Sequence, residues 1–309
     1  MINVLFAARA ERWEEYEAPL TAAFEAAGIQ AHLAPEMAPE TVDYIVYAPN
    51  SSVQNFSPFT LLKGVLNLWA GVEDVVGNPT LQVPLARMAD EGMAEGMKDY
   101  VTAHVLRYHV GLDAHVVNPG QVWDDTPPPL ARHRCVGVLG IGALGSACGQ
   151  ALAALGFEVL GWSRTQKDVP GIACHAGPSG LRAVLSRAEI LVLLLPHTAD
   201  TADILNTQTL GWMPAGARII NPGRGPLIDD TALLDALDSG QIAHATLDVF
   251  RTEPLPKDHP YWHHPRVTVT PHLASSTRPD LASQRIAENI LLSEAGKPML
   301  NVVDRAAGY

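Results

Sequence analysis

Cysteine is scarce: Cys135, Cys148 and Cys174 are the only three in 309 residues. Their number is odd and their spacing is not that of a metal site, so they speak against a disulfide framework and lead us to expect reduced thiols in the cytoplasm. Basic residues are also few. The chain carries 21 Lys and Arg against 33 Asp and Glu, a formal net charge of −12. Nucleic-acid binding needs a basic face, and none is evident. Small anions are not excluded, because a few placed arginines suffice for them. Long apolar runs are missing too. The longest, near Ile190 to Leu195, is far too short for a membrane span. Met1 to Arg9 has a strand-like start and no cleavable signal pattern. There is no internal repeat and no low-complexity tract.

What is abundant is core material. Hydrophobic residues make up 47% and charged residues 17%, enough for a large interior, and the length points to two domains. Strands are expected at 2–8, 44–47 and 65–69, with a helix over 13–27 and a turn at 70–73, which together read as a small α/β unit. A long helix follows over roughly 92–112, then the stiff connector Thr126-Pro127-Pro128-Pro129-Leu130. Further strands are expected at 189–195, 218–221, 245–249 and 266–270, with helices between them, notably 231–239. A last helix, 278–295, is placed to pack back on the first domain and make it discontinuous. The resulting expectation is an α/β protein with two parts. One is a doubly wound parallel-sheet (Rossmann) cofactor domain over 102–275. The other is a smaller, discontinuous α/β substrate domain over 1–101 and 276–309, with substrate held beside the cofactor in a cleft.

The most informative motif is Gly140-Ile141-Gly142-Ala143-Leu144-Gly145. Such a glycine pattern alone is weak and could be a turn in an unrelated α/β protein. Its context strengthens it. Cys135 to Leu139 reads as a buried parallel strand, Ser146 to Leu155 as a helix stopping near Gly156, and Phe157 to Trp162 as a second strand. In that βαβ unit Gly140 permits the tight turn and Gly142 lets the backbone approach a pyrophosphate. Gly145 allows close helix–strand packing, and the helix N-terminus favours the anion. An NAD-preferring site carries an acidic residue about twenty positions on, to bond the ribose 2′-hydroxyl. This chain has Ser163-Arg164-Thr165 there, a hydroxyl and a cation suited to a 2′-phosphate. NADPH (or NADP+) is therefore the expected cofactor, with NADH possible but disfavoured.

Three later segments each follow a predicted strand, the edge at which ligands bind in open α/β sheets. They are Asn221-Pro222-Gly223-Arg224-Gly225, Leu247 to Pro254 and Thr270 to Ser275. Carbonyl reduction needs what they supply. Negative charge develops on the carbonyl oxygen as hydride arrives at carbon, and an imidazole can protonate that oxygen near neutral pH. A carboxylate orients the ring and favours its charged form. An arginine clamps a substrate carboxylate with a fork that lysine lacks. Hence His272 is expected as acid/base, Glu253 as its partner and Arg224 as substrate anchor. Among the twelve histidines, His263 and His264 read as loop residues rather than a metal pair, and no metal is expected. His104 and His109 read as structural.

With these residues in hand, the chain resembles the D-2-hydroxyacid dehydrogenase family over essentially its whole length. Within that family it is most similar to the glyoxylate/hydroxypyruvate reductase A type. The resemblance rests on Ala70 to Glu73, Asp90 to Met93 and on to Tyr100, Gly140 to Gly145, Trp162 to Thr165, Asp248 to Phe250, Glu253 to Pro256, Pro271-His272, and the tail from Val303 to Tyr309. It implies that the family's catalytic arginine, glutamate and histidine fall on Arg224, Glu253 and His272. It further implies that backbone N–H groups around Ala70, Gly71 and Val72 cradle the substrate carboxylate, and that Asp248 contacts the nicotinamide carboxamide. The turn containing Pro196, and Thr201, would lie along the cofactor. Gly223 stands where the family usually has Ala, and Glu73 where it has Asp. Tyr47, an expected substrate contact, stands where relatives carry a larger aromatic. The implied activity is reduction of small 2-keto acids, glyoxylate and hydroxypyruvate first, by a cytoplasmic homodimer. A dehydrogenase of bulkier D-2-hydroxy acids, or a cofactor-sensing binding protein on the same scaffold, remains an alternative at this point.

Overall fold

In the computed structural model, which describes residues 1–305 and Gly308, the elements in chain order begin β1 (Ile2–Ala7), α1 (Ala10–Ala26), β2 (Ala31–Ala34), β3 (Tyr44–Tyr47), β4 (Gly64–Asn67), α2 (Glu73–Val76) and β5 (Leu85–Ala86). The part of the family-like tail at Ala306, Ala307 and Tyr309 lies outside the described residues. Next come α3 (Glu91–His109), α4 (Asp113–Val116), β6 (Cys135–Leu139), α5 (Ala143–Ala154), β7 (Glu158–Ser163), β8 (Ala173–Ala176) and α6 (Gly177–Leu185). The chain continues through β9 (Ile190–Leu193), α7 (Thr207–Leu210), β10 (Ala217–Asn221), α8 (Asp230–Asp238), β11 (Ile242–Leu247), β12 (Val267–Val269) and α9 (Pro279–Glu294). It divides into two compact units, Met1–Met93 with Ser276–Tyr309, and Ala94–Ser275. The first division falls inside α3.

The first unit is built on a parallel sheet in the order β2-β1-β3-β4-β5. Alternate residues of a strand point to opposite faces, and here both faces are covered. Val4 and Phe6 join Leu20, Phe24, Ile286 and Ile290 under α1 and α9, while Leu5, Ile45 and Val65 join Leu81 and Leu85 on the other side. That is why β3 and β4 are buried at every position, β3 reading as a continuous apolar run and β4 as one up to its buried Asn67. The short strands β2 and β5 carry no such run and are not evident from sequence.

The second unit holds a seven-stranded parallel sheet in the order β12-β11-β10-β9-β6-β7-β8. The chain winds outward from β6 through β7 to β8, then returns to β9 on the other side of β6. The switch in winding direction therefore lies between β6 and β9, the place where a doubly wound sheet opens a ligand crevice. Helix α5 starts at Ala143 rather than at Ser146, because Gly142, in an extended conformation, is already its N-cap. The helix thus begins on the glycine loop itself. Strand β11 ends at Leu247, two residues before the expected end, so Asp248 and Val249 belong to the loop beyond it.

Candidate active site

Gly140 leaves β6 with φ +105°, and a Cβ there would lie 2.5 Å from the carbonyl oxygen of Leu194 just past β9. Only glycine allows this closure of the loop over the switch point. A Cβ on Gly145 would lie 1.8 Å from the Gly140 carbonyl oxygen, so α5 can rest on the loop only without one. Gly142 differs: a Cβ there would meet nothing within 4 Å. Open space above it adjoins the first turn of α5, where the N–H groups of Ala143, Leu144 and Gly145 lack intrahelical acceptors. A pyrophosphate fits that arrangement, held by N–H groups and by the positive end of the helix.

Beside it, β7 pairs with β6 in the register Leu139 to Trp162, and the Gly140 N–H donates to the Trp162 carbonyl at 2.8 Å. Ser163, Arg164 and Thr165 therefore follow at the same sheet edge as the glycine loop. The Ser163 hydroxyl donates to the Thr165 carbonyl at 2.7 Å, which curls the chain and leaves its lone pairs as acceptors. The residues that leave this strand end, 163–167, include no carboxylate. The loop after β9 is tied by Thr201, whose hydroxyl donates to the Pro196 carbonyl at 2.7 Å and accepts from the Thr198 N–H at 2.8 Å.

Strands β10, β11 and β12 are in register at their C-terminal ends, Asn221 with Leu247 and Leu247 with Val269. The three loops that leave them are consequently neighbours, and they carry Arg224, Glu253 and His272. Gly225 lets the first two loops touch: a Cβ on it would lie 2.0 Å from the Phe250 carbonyl carbon. Buried Asn221 fixes the arginine loop, accepting from the Gly223 N–H at 3.1 Å and donating to the Arg224 carbonyl at 2.9 Å. A Cβ on Gly223 would lie 2.8 Å from the Leu193 carbonyl oxygen, so the alanine usual in the family would require the backbone here to shift.

Glu253 uses both carboxylate oxygens. Oε1 accepts from the Phe250 N–H at 2.9 Å, and Oε2 lies 2.6 Å from Nδ1 of His272. The hydrogen bond to Glu253 raises the imidazole above its usual pKa, against burial and the nearby Arg224 charge. Burial alone would raise Glu253, but hydrogen bonds from His272 and Phe250, with the His272 and Arg224 charges, bring it below the usual carboxylate value. The pair is thus biased toward imidazolium and carboxylate. The His272 side chain remains 52% exposed, leaving its far side accessible.

Asp248 has a task that sequence reasoning did not reveal. It is completely buried. Its Oδ1 accepts from the Thr270 hydroxyl at 2.5 Å and the Leu273 N–H at 3.0 Å, and Oδ2 accepts from the Ala274 N–H at 2.9 Å. Its backbone carbonyl accepts from the His272 N–H at 2.8 Å. Because Thr270 gives its proton to Asp248, Tyr100 donates to Thr270, at 2.7 Å. This network holds His272 at φ +51°, a left-handed conformation costing a non-glycine residue on the order of 1–3 kcal/mol. A nicotinamide carboxamide could reach Asp248 only through a remaining lone pair.

Ala70, Gly71 and Val72 belong to the first unit, after β4. Asn67, unsuspected from sequence, donates through Nδ2 to the carbonyls of Trp69 at 2.8 Å and Gly71 at 2.9 Å. With those carbonyls held, the N–H groups of Gly71 and Val72 have no acceptor among the described residues. Such a pair can receive a carboxylate. Tyr47 is only 1% exposed and packs edge-on against Phe56, so in this conformation its ring faces the interior of its unit. Among the described residues, no helix is long and apolar enough to cross a membrane.

The chain is similar to known proteins in sequence and in fold. The family profile "D-isomer specific 2-hydroxyacid dehydrogenase, NAD binding domain" matches residues 103–274. Glyoxylate/hydroxypyruvate reductase A of Serratia proteamaculans is 43% identical over 256 residues, covering 80% of this chain and 82% of that protein. A D-isomer specific 2-hydroxyacid dehydrogenase from Xanthobacter autotrophicus, solved with NADPH and MES, superposes with a TM-score of 0.92 at 39% identity, over 100% of this chain and 99% of that one. An NADPH-dependent glyoxylate/hydroxypyruvate reductase from Sinorhizobium meliloti, solved with NADP and sulfate, does so with a TM-score of 0.90 at 33% identity, over the whole of both chains.

Proposed function

Because this chain belongs to the D-isomer specific 2-hydroxyacid dehydrogenase family, we propose that it reduces small 2-keto acids, glyoxylate and hydroxypyruvate foremost, to 2-hydroxy acids with NADPH. The observation that carries the reading is the imidazolium–carboxylate pair of His272 and Glu253 beside Arg224, at the same sheet edge as a dinucleotide loop lacking the ribose-binding carboxylate. The names of the S. proteamaculans and S. meliloti relatives support the substrate class.

When bound, NADPH supplies a hydride to the keto carbon. Gly140, Gly142 and the amides of Ala143, Leu144 and Gly145 hold its pyrophosphate, and Ser163, Arg164 and Thr165 receive its 2′-phosphate, the Ser163 hydroxyl turning its proton from the Thr165 carbonyl to the phosphate. Pro196 and Thr201 line its path. With Nδ1 occupied by Glu253, His272 presents Nε2 to the substrate oxygen and gives it the proton. Glu253 keeps the ring oriented and stabilises its charged form until transfer. Arg224 grips the substrate carboxylate and polarises the carbonyl. We assign the amides of Ala70, Gly71 and Val72 as carboxylate contacts, and Tyr47 stays a proposed substrate contact although its ring is buried against Phe56 in this conformation. Asp248 supports the His272 turn. In this reading the second unit is the NADP-binding domain and the first the substrate domain, and the protein is a cytoplasmic homodimer with its three cysteines reduced.

The deciding experiment is a steady-state panel of glyoxylate, hydroxypyruvate, pyruvate and phenylpyruvate with NADPH and NADH. The expected result is the highest kcat/KM for glyoxylate or hydroxypyruvate with NADPH. Preference for phenylpyruvate would assign the chain to bulkier acids, and no turnover of any would refute the enzyme reading.

A further inference from the structure

Arg251 stands two residues before Glu253 in the loop after β11 and has no role in the proposed chemistry. The loops after β9 and β10 are joined to each other by their backbones. The Asp203 N–H donates to the Pro226 carbonyl at 2.9 Å, the Leu205 N–H to the Leu227 carbonyl at 3.0 Å, and the Asp229 N–H to the Leu205 carbonyl at 2.9 Å. The loop after β11 has no such seam. Among the described residues, 249–255 make no backbone hydrogen bond to either neighbouring loop. Yet this is the loop that carries Glu253, and a carboxylate that must meet Nδ1 of His272 tolerates little drift.

Arg251 supplies the missing ties. Its Nη2 donates to the Asp203 carboxylate, in the loop after β9, and at 2.5 Å to the Ile228 carbonyl, in the loop after β10. Its Nε lies 3.6 Å from Oδ2 of Asp230 at the start of α8, and the Tyr261 hydroxyl fixes Asp230 by donating to Oδ1 at 3.0 Å. One guanidinium fork thus reaches both neighbouring loops. Its partner is set by the backbone. Asp203 sits at φ +51°, a conformation that favours glycine over a residue with a Cβ. The Asn206 side chain holds that turn by donating to the Asp203 carbonyl at 2.9 Å. The carboxylate carried at this strained position is the one that meets Arg251.

We propose that Arg251 is a positioning residue: through Asp203 and the Ile228 carbonyl it straps the Glu253 loop to the loops after β9 and β10, and so keeps Glu253 against His272. This rests on the reductase reading above and adds to it the residue that holds the acid/base pair in place. The strap acts by geometry rather than by charge. The charged groups that shift His272 most are Glu253, Arg224 and Asp248, and those that shift Glu253 most are His272 and Arg224. Arg251 and Asp203 are not among them. Both side chains are half-exposed, so water screens the field of the pair, while a fork spanning two loops keeps its geometric effect.

Arg251→Ala, Asp203→Gly and the double variant test it by two readouts. One is the titration midpoint of His272, followed by NMR of its ring and assigned with His272→Gln. The other is the pH profile of kcat/KM for glyoxylate reduction. With the strap cut, Glu253 meets Nδ1 less of the time. Both single variants should therefore titrate His272 at lower pH, and kcat/KM should fall about tenfold. The double variant should be no worse than Arg251→Ala, because both substitutions remove one contact. Lost charge alone would move the two midpoints in opposite directions, up without the Arg251 cation and down without the Asp203 anion. Glycine adopts the Asp203 backbone without steric cost, so Asp203→Gly should unfold no earlier than wild type, and it decides the matter if Arg251→Ala fails to fold. An unmoved midpoint in Asp203→Gly overturns the proposal, as do opposite shifts in the two single variants or additive losses in the double one. The NMR readout needs no substrate, so the two readings separate. Midpoints that move as expected in a protein that turns over no 2-keto acid uphold the strap and refute the reductase reading.

Discussion

Nδ1 of His272 lies 2.6 Å from Oε2 of Glu253, and this one contact sets both the direction the imidazole faces and its affinity for protons. The carboxylate is itself fixed by the Phe250 N–H, so the ring cannot turn without losing its partner. Nε2 is then the ring atom left for substrate.

The first consequence is a pH profile. A proton donor must be protonated to act, and Glu253 raises the His272 pKa above its ordinary 6.5. The kcat/KM for reduction should therefore hold through that value and fall only as pH rises through the raised one. Glu253→Gln removes the charge and shifts the descending limb to lower pH. A limb that stays in place in that variant would assign the titration to another group.

His272→Ala should lower turnover by about 10²–10⁴-fold, the usual contribution of a positioned general acid. NADPH affinity, measured by quenching of protein fluorescence, should change little, because the glycine loop and Ser163 are untouched. Near-normal turnover would remove His272 from the mechanism.

Arg224→Lys keeps the charge and loses the fork. Lysine cannot bond a carboxylate and polarise a neighbouring carbonyl in one plane, and a reactant misplaced by about 1 Å can cost about 10²-fold. The expected loss in kcat/KM is of that size. A few-fold change would mean that charge alone suffices.

Ser163→Asp restores the acidic residue typical of an NAD-preferring site and sets a negative charge against the 2′-phosphate. The ratio of kcat/KM for NADPH to that for NADH should drop by at least about tenfold. An unchanged ratio would place the determinant of cofactor choice elsewhere.

Gly225→Ala introduces a methyl 2.0 Å from the backbone of Phe250. Overpacking of this kind costs about 1–3 kcal/mol, so thermal unfolding should come several degrees earlier. The arginine and glutamate loops would be pushed apart, so kcat/KM should fall as well. An active variant of unchanged stability would show that the two loops tolerate separation.

Much of this protein is determined by sequence alone, wherever a local pattern has one physical solution. Parallel strands buried on both faces favour apolar residues along their length, so β3, β6 and β9 are legible as runs. A glycine loop between strand and helix leads to a dinucleotide site, and Ser163 in place of a carboxylate already selects among dinucleotides. The residue types needed for carbonyl reduction stand just past strand ends at Arg224, Glu253 and His272. Tertiary structure alone decided what depends on residues distant in the chain. The register of β10, β11 and β12 makes their three loops neighbours. Buried Asp248 satisfies two N–H groups and a hydroxyl, and so holds His272 in a left-handed conformation that no local preference would choose. Asn67 claims two carbonyls beside N–H groups that have no acceptor among the described residues. Hydrogen-bond satisfaction in a buried interior depends on which groups folding brings within 3 Å or so of one another, and sequence spacing carries no trace of that.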